Sequence, residues 1–381
     1  MKNKQNTNLK SSAIILISIL CITAFIAGCS GAGNSQPSPA SQPAIEDTRL
    51  VGTATPASNR VAPLGSPPPE PVSFPKDDAP HKNQTEWWYY NGHLNTNKGA
   101  SYGFHFVIFQ RYIEEGRAAY VGHFSITDIN KKTFVYDQKL ELGYIPQAAD
   151  GTVSIKVGDW TINLKGGRDS IKANLNGYNM QLELTGIKRP VLHGGDGYIT
   201  VAQSEESYYY SRTRMAVLGY LAVDGVQEPV VGSAWFDHQW GDFALQGGGG
   251  WDWYAIQLSD VTDVMISVIR GPDGRMIESY GTYVEQNGSA VPILQENIII
   301  QPTGQWTSPR TSAKYPMGWK ASIRSQGLDL TLTPVIEDQE LDTRDSTQAV
   351  YWEGKVNVEG TKNGQKINGV GFVEMTGYAP R

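Results

Sequence analysis

The sequence predicts an all-β protein built from two antiparallel, barrel-like units. Apolar and polar residues alternate on both sides of Asn176-Gly177, in residues 171–175 and 178–184, and the same device recurs around Asp224-Gly225. Two-residue turns that contain glycine between such segments are a strong signal for β-hairpins. The sequence shows no amphipathic helix of more than about three turns and no glycine-rich phosphate loop. Many short strands joined by tight turns indicate a sandwich or barrel, and nucleotide-dependent chemistry is not expected.

The folded part of the chain is long enough for two domains. It begins near residue 74 and contains about 300 residues, which favours two domains over one. The glycines at positions 247–250 form a natural seam, with similar strand density on either side. We therefore predict an N-terminal domain over residues 74–245 and a C-terminal domain over residues 246–381.

The N-terminus has the pattern of an export signal, predicted over residues 1–28. Lysines at positions 2, 4 and 10 precede an apolar run that ends in Ile26-Ala27-Gly28-Cys29. Small residues directly before a cysteine resemble the bacterial lipobox, in which the cysteine is lipidated and becomes the mature N-terminus. This predicts an exported lipoprotein with Cys29 as its lipidation site; the alternatives are an ordinary signal peptide and an uncleaved anchor helix. Cys21 leaves with the signal, so no free thiol, disulfide or cysteine-based zinc site is expected.

The segment that follows the signal, residues 29–73, is rich in Ser, Pro and Ala. Such a composition cannot bury enough apolar surface to fold, so we interpret it as a disordered tether that holds the folded part off the membrane. The formal net charge of −6 argues against a nucleic-acid partner. The expected partners are a hydrophobic small molecule and, through the lipid anchor, the membrane; no cofactor is expected.

Residues 235–243, with the sequence WFDHQWGDF, are the densest cluster of chemically competent side chains. A histidine among indoles can donate or accept a proton near neutral pH, and we predict His238 and Asp237 as the catalytic residues. Adjacent residues of a strand point to opposite faces, so His238 should share its face with Trp240 and not with Asp237. The alternative is that His238 is a buried structural histidine.

Two further aromatic patches, at residues 86–90 and 251–254, complete a predicted apolar pocket. Aromatic rings with a few polar groups are typical of a pocket for an apolar molecule, although they equally suit the plug of a large β-barrel. The predicted substrate-binding residues are Glu86, Trp87, Trp88, Tyr90, His105, Trp240, Trp253 and Tyr254.

Several of these candidates have structural alternatives. Glu86 is as readily a carboxylate that pairs with an arginine and locks the N-terminal strand, and His105 is as readily a satisfied core histidine. Glu353 and Glu374 are interpreted as barrel-closing or junction residues rather than catalysts. No metal site is predicted, because Asp237-His238 is the only close histidine–carboxylate pair in the sequence and its members point to opposite faces.

The order of these motifs resembles the AttH/CrtC family. The matching segments are residues 78–94, residues 102–104, residues 232–241 and the tail at residues 351–378. The resemblance covers roughly residues 77–378, which is the whole folded part. It implies two lipocalin-like β-barrel domains side by side.

The resemblance implies less about activity. The family includes carotenoid 1,2-hydratases, which add water across a terminal double bond, and related lipocalin-like proteins include pericyclic cyclases. Many bacterial members are described only as predicted secreted hydrolases. The hydratase motif His-x-Trp maps onto His238 and Trp240. The Tyr and Asp that hydratases place on the next long strand have no counterpart in residues 264–269, which argues against a carotenoid substrate.

Two classes of function follow. The first is a cofactor-independent hydrolase, hydratase or isomerase that acts on an apolar, lipid- or isoprenoid-like molecule near the domain junction, with His238 and Asp237 transferring protons. The second is a non-catalytic carrier lipoprotein that shelters a hydrophobic ligand. Catalysis requires an ionisable group with a shifted pKa at the cavity, whereas carriage requires only an apolar cavity.

Overall fold

The computed structural model describes residues 70–149, 151–201, 205–243 and 249–380. The signal peptide, the lipidation site Cys29 and the tether up to residue 69 lie outside the described residues, so these assignments stay predictions. Within the described ranges, no helix is long and apolar enough to span a membrane.

The described chain folds almost entirely into antiparallel strands, which confirms the all-β prediction. Its helical segments are three short 3-10 turns, at Lys76–Asp78, Gln295–Asn297 and Arg324–Gln326. The 22 strands of these ranges form two sheets, one of which is nearly closed into a barrel. The two β units expected from the sequence are therefore present.

The first sheet contains the first twelve strands of the described chain. They are β1 (Thr85–Thr96), β2 (Ser101–Glu114), β3 (Arg117–Asp128), β4 (Thr133–Tyr144), β5 (Val153–Val157), β6 (Trp160–Leu164), β7 (Arg168–Leu175), β8 (Tyr178–Gly186), β9 (Val191–Leu192), β10 (Tyr198–Val201), β11 (Glu205–Val223) and β12 (Val226–Gly241). Their order is β4-β3-β2-β1-β12-β11-β8-β7-β6-β5, and β9 and β10 pair with β11 beside this path. The first and last long strands, β1 and β12, are thus neighbours at the centre.

The second sheet contains the remaining ten strands. They are β13 (Gly250–Leu258), β14 (Asp263–Arg270), β15 (Met276–Val284), β16 (Ala290–Ile293), β17 (Ile298–Thr307), β18 (Lys314–Ile323), β19 (Leu328–Pro334), β20 (Glu340–Thr343), β21 (Ala349–Lys362) and β22 (Gln365–Thr376). Their order is β16-β15-β14-β13-β22-β21-β19-β18-β17, with β20 paired to β21. The change of sheet falls between β12 and β13, although the exact boundary at residues 245 and 246 lies outside the described residues and stays a prediction.

Both hairpins predicted from glycine-containing turns are present. Strands β7 and β8 meet at Asn176-Gly177, with Leu175 opposite Tyr178. Strands β11 and β12 meet at Asp224-Gly225, whose φ angles are 50° and 82°. Positive φ at both central residues is the requirement of a type I′ turn, which matches the twist of the flanking strands. This turn fixes the register of β12 and hence the face on which each of its side chains lies.

The buried apolar side chains form three layers. Each sheet encloses a core of its own. A third cluster lies between the sheets; it includes Tyr89, Val107, Tyr209, Trp235, Trp253 and Met265. Nearly every residue of β1 is buried, because one face of this strand packs into the first core and the other faces the second sheet. We call the third cluster, with the polar groups among it, the inter-sheet layer.

The pairing register places a row of polar side chains from each sheet in this layer. On the first sheet, Asp237 lies opposite Tyr89 on the neighbouring strand. On the second sheet, Glu374 lies opposite Trp253 on one side and opposite Glu353 on the other. The two rows meet where the Tyr89 hydroxyl donates a hydrogen bond of 2.8 Å to Glu353 Oε1. The inter-sheet layer is therefore apolar in composition but carries three carboxyl groups.

Candidate functional site

Strand β12 carries chemically competent side chains on both of its faces. His238 points into the first core, where the ring of Trp88 stacks on it at 5.0 Å. Asp237 points into the inter-sheet layer, where the Tyr209 hydroxyl donates to its Oδ2 at 2.7 Å. Consecutive strand residues lie on opposite sides of the sheet, as the alternation in the sequence predicted. The catalytic roles of Asp237 and His238 stay predictions, and the two side chains cannot meet in one pocket. The strand contributes to two separate polar clusters.

The first cluster lies inside the first sheet and is built around Glu86. His238 Nε2 lies 2.7 Å from Glu86 Oε1, and His81 Nδ1 lies 2.8 Å from the same oxygen. The other oxygen, Oε2, accepts from the His81 backbone N–H at 2.7 Å and from Gln110 Nε2 at 2.9 Å. The ring of His81 stacks on Trp240 at 4.2 Å. Every hydrogen-bonding position of the Glu86 carboxylate is therefore used.

A buried ion pair closes the same cluster. Arg212 Nη2 donates to Asp78 Oδ1 at 2.8 Å and to Asp78 Oδ2 at 3.0 Å, and both side chains are 3% exposed. The Tyr210 hydroxyl also donates to Asp78, and the Trp88 indole donates to the Asp78 carbonyl oxygen. These contacts hold residues 73–84, which precede β1, against the first core. Arg212 therefore pairs with Asp78, and among the described residues Glu86 contacts two histidines in place of the arginine considered as an alternative. We call this set the interior cluster.

The interior cluster has the properties of a structural network. Burial lowers the pKa of His238, opposed by its hydrogen bond to Glu86, so its imidazole is neutral at neutral pH. A buried polar network whose members are all partnered rigidifies a fold. These contacts are those of the structural alternative for His238, and a catalytic role for His238 stays a prediction.

Three members of the interior cluster also form a possible metal-ligand set. One donor atom each from His81, Glu86 and His238 lies within 4.8 Å of the others, and two histidines with a carboxylate are typical zinc ligands. Around zinc, with bonds of about 2.1 Å, ligand atoms stand roughly 3.4 Å apart. The separations of 2.7 and 2.8 Å found here are those of hydrogen bonds. The sequence did not suggest this set, because His81 and Glu86 are 152 or more residues away from His238.

The second cluster lies in the inter-sheet layer and contains three carboxyl groups. Asp237 accepts from Ser211, from Tyr209 and from the Trp235 indole. Burial raises the pKa of Asp237 to about 6, although these hydrogen bonds oppose the shift. Asp237 is therefore a carboxylate with three hydrogen-bond donors, and it is mostly ionised at neutral pH.

Glu353 and Glu374 form the other part of this cluster. Burial, followed by the charge of Glu374, raises the pKa of Glu353 well above its usual range. Burial raises the pKa of Glu374 to about 7. Two neighbouring carboxyl groups in a dry layer favour sharing a proton over ionising together. Glu353 therefore keeps its proton to a higher pH than an ordinary glutamic acid, and Glu374 titrates beside it.

One oxygen of Glu353 has no partner in the described chain. Its Oε1 accepts from Tyr89, but its Oε2 is buried and unbonded, and so is Nδ1 of the nearby His105. The His105 ring lies 5.2 Å from the ring of Tyr89, so both unpartnered atoms belong to the surroundings of one tyrosine. Nearly all buried polar atoms in folded proteins are hydrogen-bonded. Two exceptions around one tyrosine make this place the candidate ligand site.

Aromatic rings wall this place. Trp253 lies 5.3 Å from Tyr89 and 6.0 Å from Trp235, each in an edge-to-face arrangement, and its indole donates to the Tyr209 hydroxyl at 3.2 Å. The rim of the layer consists of partly exposed aromatic residues: Trp87, Phe109, Trp251 and Tyr280. These rings make the surroundings of the Glu353 carboxyl group apolar.

Comparison with known proteins places the chain among its relatives. The model of the AttH-like family matches residues 66–378. The chain belongs to the AttH-like family. Kievitone hydratase of Fusarium solani subsp. phaseoli is 24% identical over 315 residues, which cover 80% of this chain and 86% of that protein.

Solved structures of similar proteins have the same fold. The crystal structure of a protein assigned as AttH from Nitrosomonas europaea aligns with a TM-score of 0.73 at 28% identity, covering 83% of this chain and 99% of that one. The structure of kievitone hydratase from Nectria haematococca aligns with a TM-score of 0.65 at 18% identity, covering 80% of this chain and 93% of that one. The two-sheet architecture is thus shared with these proteins.

In this AttH-like chain the predicted substrate-binding residues separate into three places. Three belong to or border the interior cluster: Glu86, Trp88 and Trp240. Three belong to the inter-sheet layer: Trp87, His105 and Trp253. Two lie in the cores of the first and second sheet: Tyr90, which donates to Asp169, and Tyr254. Only the middle group surrounds the unpartnered atoms.

Sequence reasoning missed the chemistry of Glu353 and Glu374. It placed them at a barrel closure or junction, and they do lie between the sheets. The available signal was alternation, because Tyr351, Glu353 and Lys355 occupy one face of a strand whose other face is apolar or glycine from residue 350 to residue 360. Titratable side chains on a face that is also buried require a partner or a function.

Proposed function

We propose that this protein is a hydratase that adds water across a carbon–carbon double bond of a small apolar molecule held in the inter-sheet layer. The observation that carries the proposal is the Glu353 carboxyl group. It is buried among aromatic rings, it is held by Tyr89 through one oxygen, and its other oxygen has no partner. The similarity to a protein named kievitone hydratase supports the same class of reaction.

The first step uses Glu353 as a general acid. Its Oε2–H donates the proton to one alkene carbon, and the π electrons form the new C–H bond. Positive charge then develops on the other carbon, and Glu353 is left as a carboxylate. The faces of Tyr89 and Trp253 are suited to stabilise that charge, since aromatic rings attract cations that approach their faces. The Tyr89 hydroxyl steadies the carboxylate by the hydrogen bond it already makes.

The second step uses Glu374 as a general base. A water molecule forms the C–O bond at the cationic carbon, and Glu374 takes the proton that this oxygen loses. Its pKa of about 7 suits proton acceptance near neutral pH. Glu374 and Glu353 lie opposite each other on β22 and β21, so the proton can return to Glu353. The cycle consumes one water and one alkene and forms one alcohol.

The carrier function considered from the sequence needs only an apolar cavity. It gives no reason for two carboxyl groups with raised pKa values to lie among the aromatic rings. Functional sites are where such shifts are concentrated, so the structure favours catalysis over carriage.

A direct assay tests the proposed function. Purified protein is incubated with kievitone and with other apolar alkenes, and the products are analysed by mass spectrometry. The expected product has gained one water, and it carries the heavy isotope when the reaction is run in heavy-oxygen water. Tight binding of an alkene that is recovered unchanged would support the carrier instead. An absence of both binding and turnover across the set would contradict either function.

We also propose that the protein is exported and attached to a membrane through a lipid on Cys29. This proposal rests on the signal-like N-terminus and the small residues before Cys29. The variant Cys29→Ala should lose lipid labelling and leave the membrane fraction of expressing cells. Labelling and membrane association that persist in the variant would contradict the assignment.

A further inference from the structure

A polar pocket lies beside the inter-sheet layer, lined in part by residues of β1, β21 and β22. Its volume is about 450 Å³, within the usual range for small-molecule pockets. Its polar lining residues are His93, Asn95, Ser101, Lys355 and Asn357, and its apolar lining residues are Ile129, Pro334, Val335 and Val370. No carboxylate is among these residues. The pocket therefore offers hydrogen-bond donors and one cationic group, without an internal negative charge.

Lys355 is an unusual residue for a buried position. It is 4% exposed, and within the described ranges no carboxylate forms an ion pair with it. Its Nζ donates to the Tyr102 carbonyl oxygen at 3.2 Å and to Ser101 Oγ at 3.3 Å, which leaves one N–H without a partner. Burial lowers the pKa of Lys355 to about 8, so the ammonium form still predominates at neutral pH. A buried charge without a counter-charge is costly.

The position of the ammonium group is built into the fold. A side chain at Gly103 would come within 3.1 Å of Lys355 Cβ and 3.2 Å of its Cδ, so the glycine leaves the space in which the lysine stem lies. On the same wall, His93 is 6% exposed, and its Nδ1 is buried without a partner in the described chain. Burial, and then the charge of Lys355, lowers the pKa of His93, so its imidazole is neutral and can donate one hydrogen bond.

We propose that this pocket binds the carboxylate group of a small organic acid, with Lys355 as its counter-ion and His93 as a second donor. The carboxylate supplies the missing negative charge and accepts from the unused N–H of Lys355. The apolar wall of Ile129, Val335 and Val370 contacts the hydrocarbon part of the acid. The proposal does not depend on the hydratase function, since it concerns binding at a place that lacks Glu353 and Glu374.

Binding of octanoate and of 1-octanol to the full-length protein tests this proposal. Calorimetry should show octanoate binding and much weaker binding of octanol, which has the same chain and no charge. Lys355→Met should weaken octanoate binding about 10- to 100-fold, the usual value of a hydrogen bond to a charged group. The control Lys366→Met, at an exposed lysine of β22, should bind like the wild type. Equal binding of acid and alcohol, or unchanged octanoate binding by Lys355→Met, would overturn the proposal.

A measurement on the wild-type protein covers the case in which the Met variant does not fold. Binding of octanoate and of octanol to the wild-type protein is measured by calorimetry at pH values on both sides of 8. Octanoate binding should weaken as the pH rises above about 8, where Lys355 loses its charge, and octanol binding should stay constant. Octanoate binding that does not change across this range would show that the acid binds elsewhere or not at all, and the assignment would be withdrawn.

Discussion

Glu353→Gln is expected to reduce the hydration rate by about two to four orders of magnitude, the usual contribution of general acid–base catalysis. Gln has nearly the same volume and still accepts the hydrogen bond from Tyr89, but it has no acidic proton to give to the alkene. Substrate binding should change little, because the aromatic walls are intact. The loss should therefore appear in kcat and hardly in KM.

Glu359→Gln is the matched control for this variant. Glu359 lies on the same strand as Glu353 and is exposed. The hydration rate and the stability of Glu359→Gln should therefore equal those of the wild type. If Glu353→Gln keeps more than about a tenth of the wild-type kcat, its effect lies below the usual range for a catalytic acid. Glu353 would then be a junction residue, as the sequence suggested.

The dependence of the rate on pH gives the same test a second readout. Glu374 must be ionised to accept a proton, so the rate should rise as the pH increases through about 7, the pKa of that group. It should fall again where Glu353 loses its proton, at a pH well above the usual range of a glutamic acid. Glu374→Gln should lower the rate and abolish the rising limb. A profile that is unchanged in this variant would exclude Glu374 as the base.

Arg212→Met should have the largest effect on stability. It removes the cation that neutralises Asp78 at a place where both side chains are 3% exposed. The carboxylate is then buried without its partner, and loss of one member of such a pair costs about 3–5 kcal/mol. The free energy of unfolding can be measured by urea denaturation, and we expect it to fall by this amount.

Arg344→Met provides the comparison. Its pair with Asp342 is a surface pair, with side chains 60% and 25% exposed, and removal of such a pair costs about 0–1 kcal/mol. If Arg212→Met were as mild as this control, the interior cluster would not hold residues 73–84 in place. Activity per folded molecule should survive in Arg212→Met, because Arg212 lies outside the inter-sheet layer.

The strands and hairpins were predictable because their signals are local. The turn at Asp224-Gly225 and the alternation on either side of it lie within a few residues of each other, and together they fix the faces of β12. This is why the sequence alone could place His238 with Trp240 and Asp237 on the other side.

The site was less predictable because its contacts are distant in the chain. Tyr89 and Glu353 are 264 residues apart, and no pattern within either strand shows that the two side chains meet. The dense aromatic and titratable residues at positions 235–243 contribute to both the interior cluster and the inter-sheet layer. The side chains that each face meets became clear only when the partners of Glu86 and Asp237 were known.

The inter-sheet layer lies outside the two hydrophobic cores that the sheets enclose. Its side chains come from strand faces that point between the sheets, and the opposite faces of the same strands point into the two cores. A substitution at Trp253 or Trp87 therefore changes the shape of the proposed ligand site and leaves the interiors of both sheets as they were. In such an arrangement substrate preference can diverge among related proteins by exchange of a few side chains, without repacking of either core.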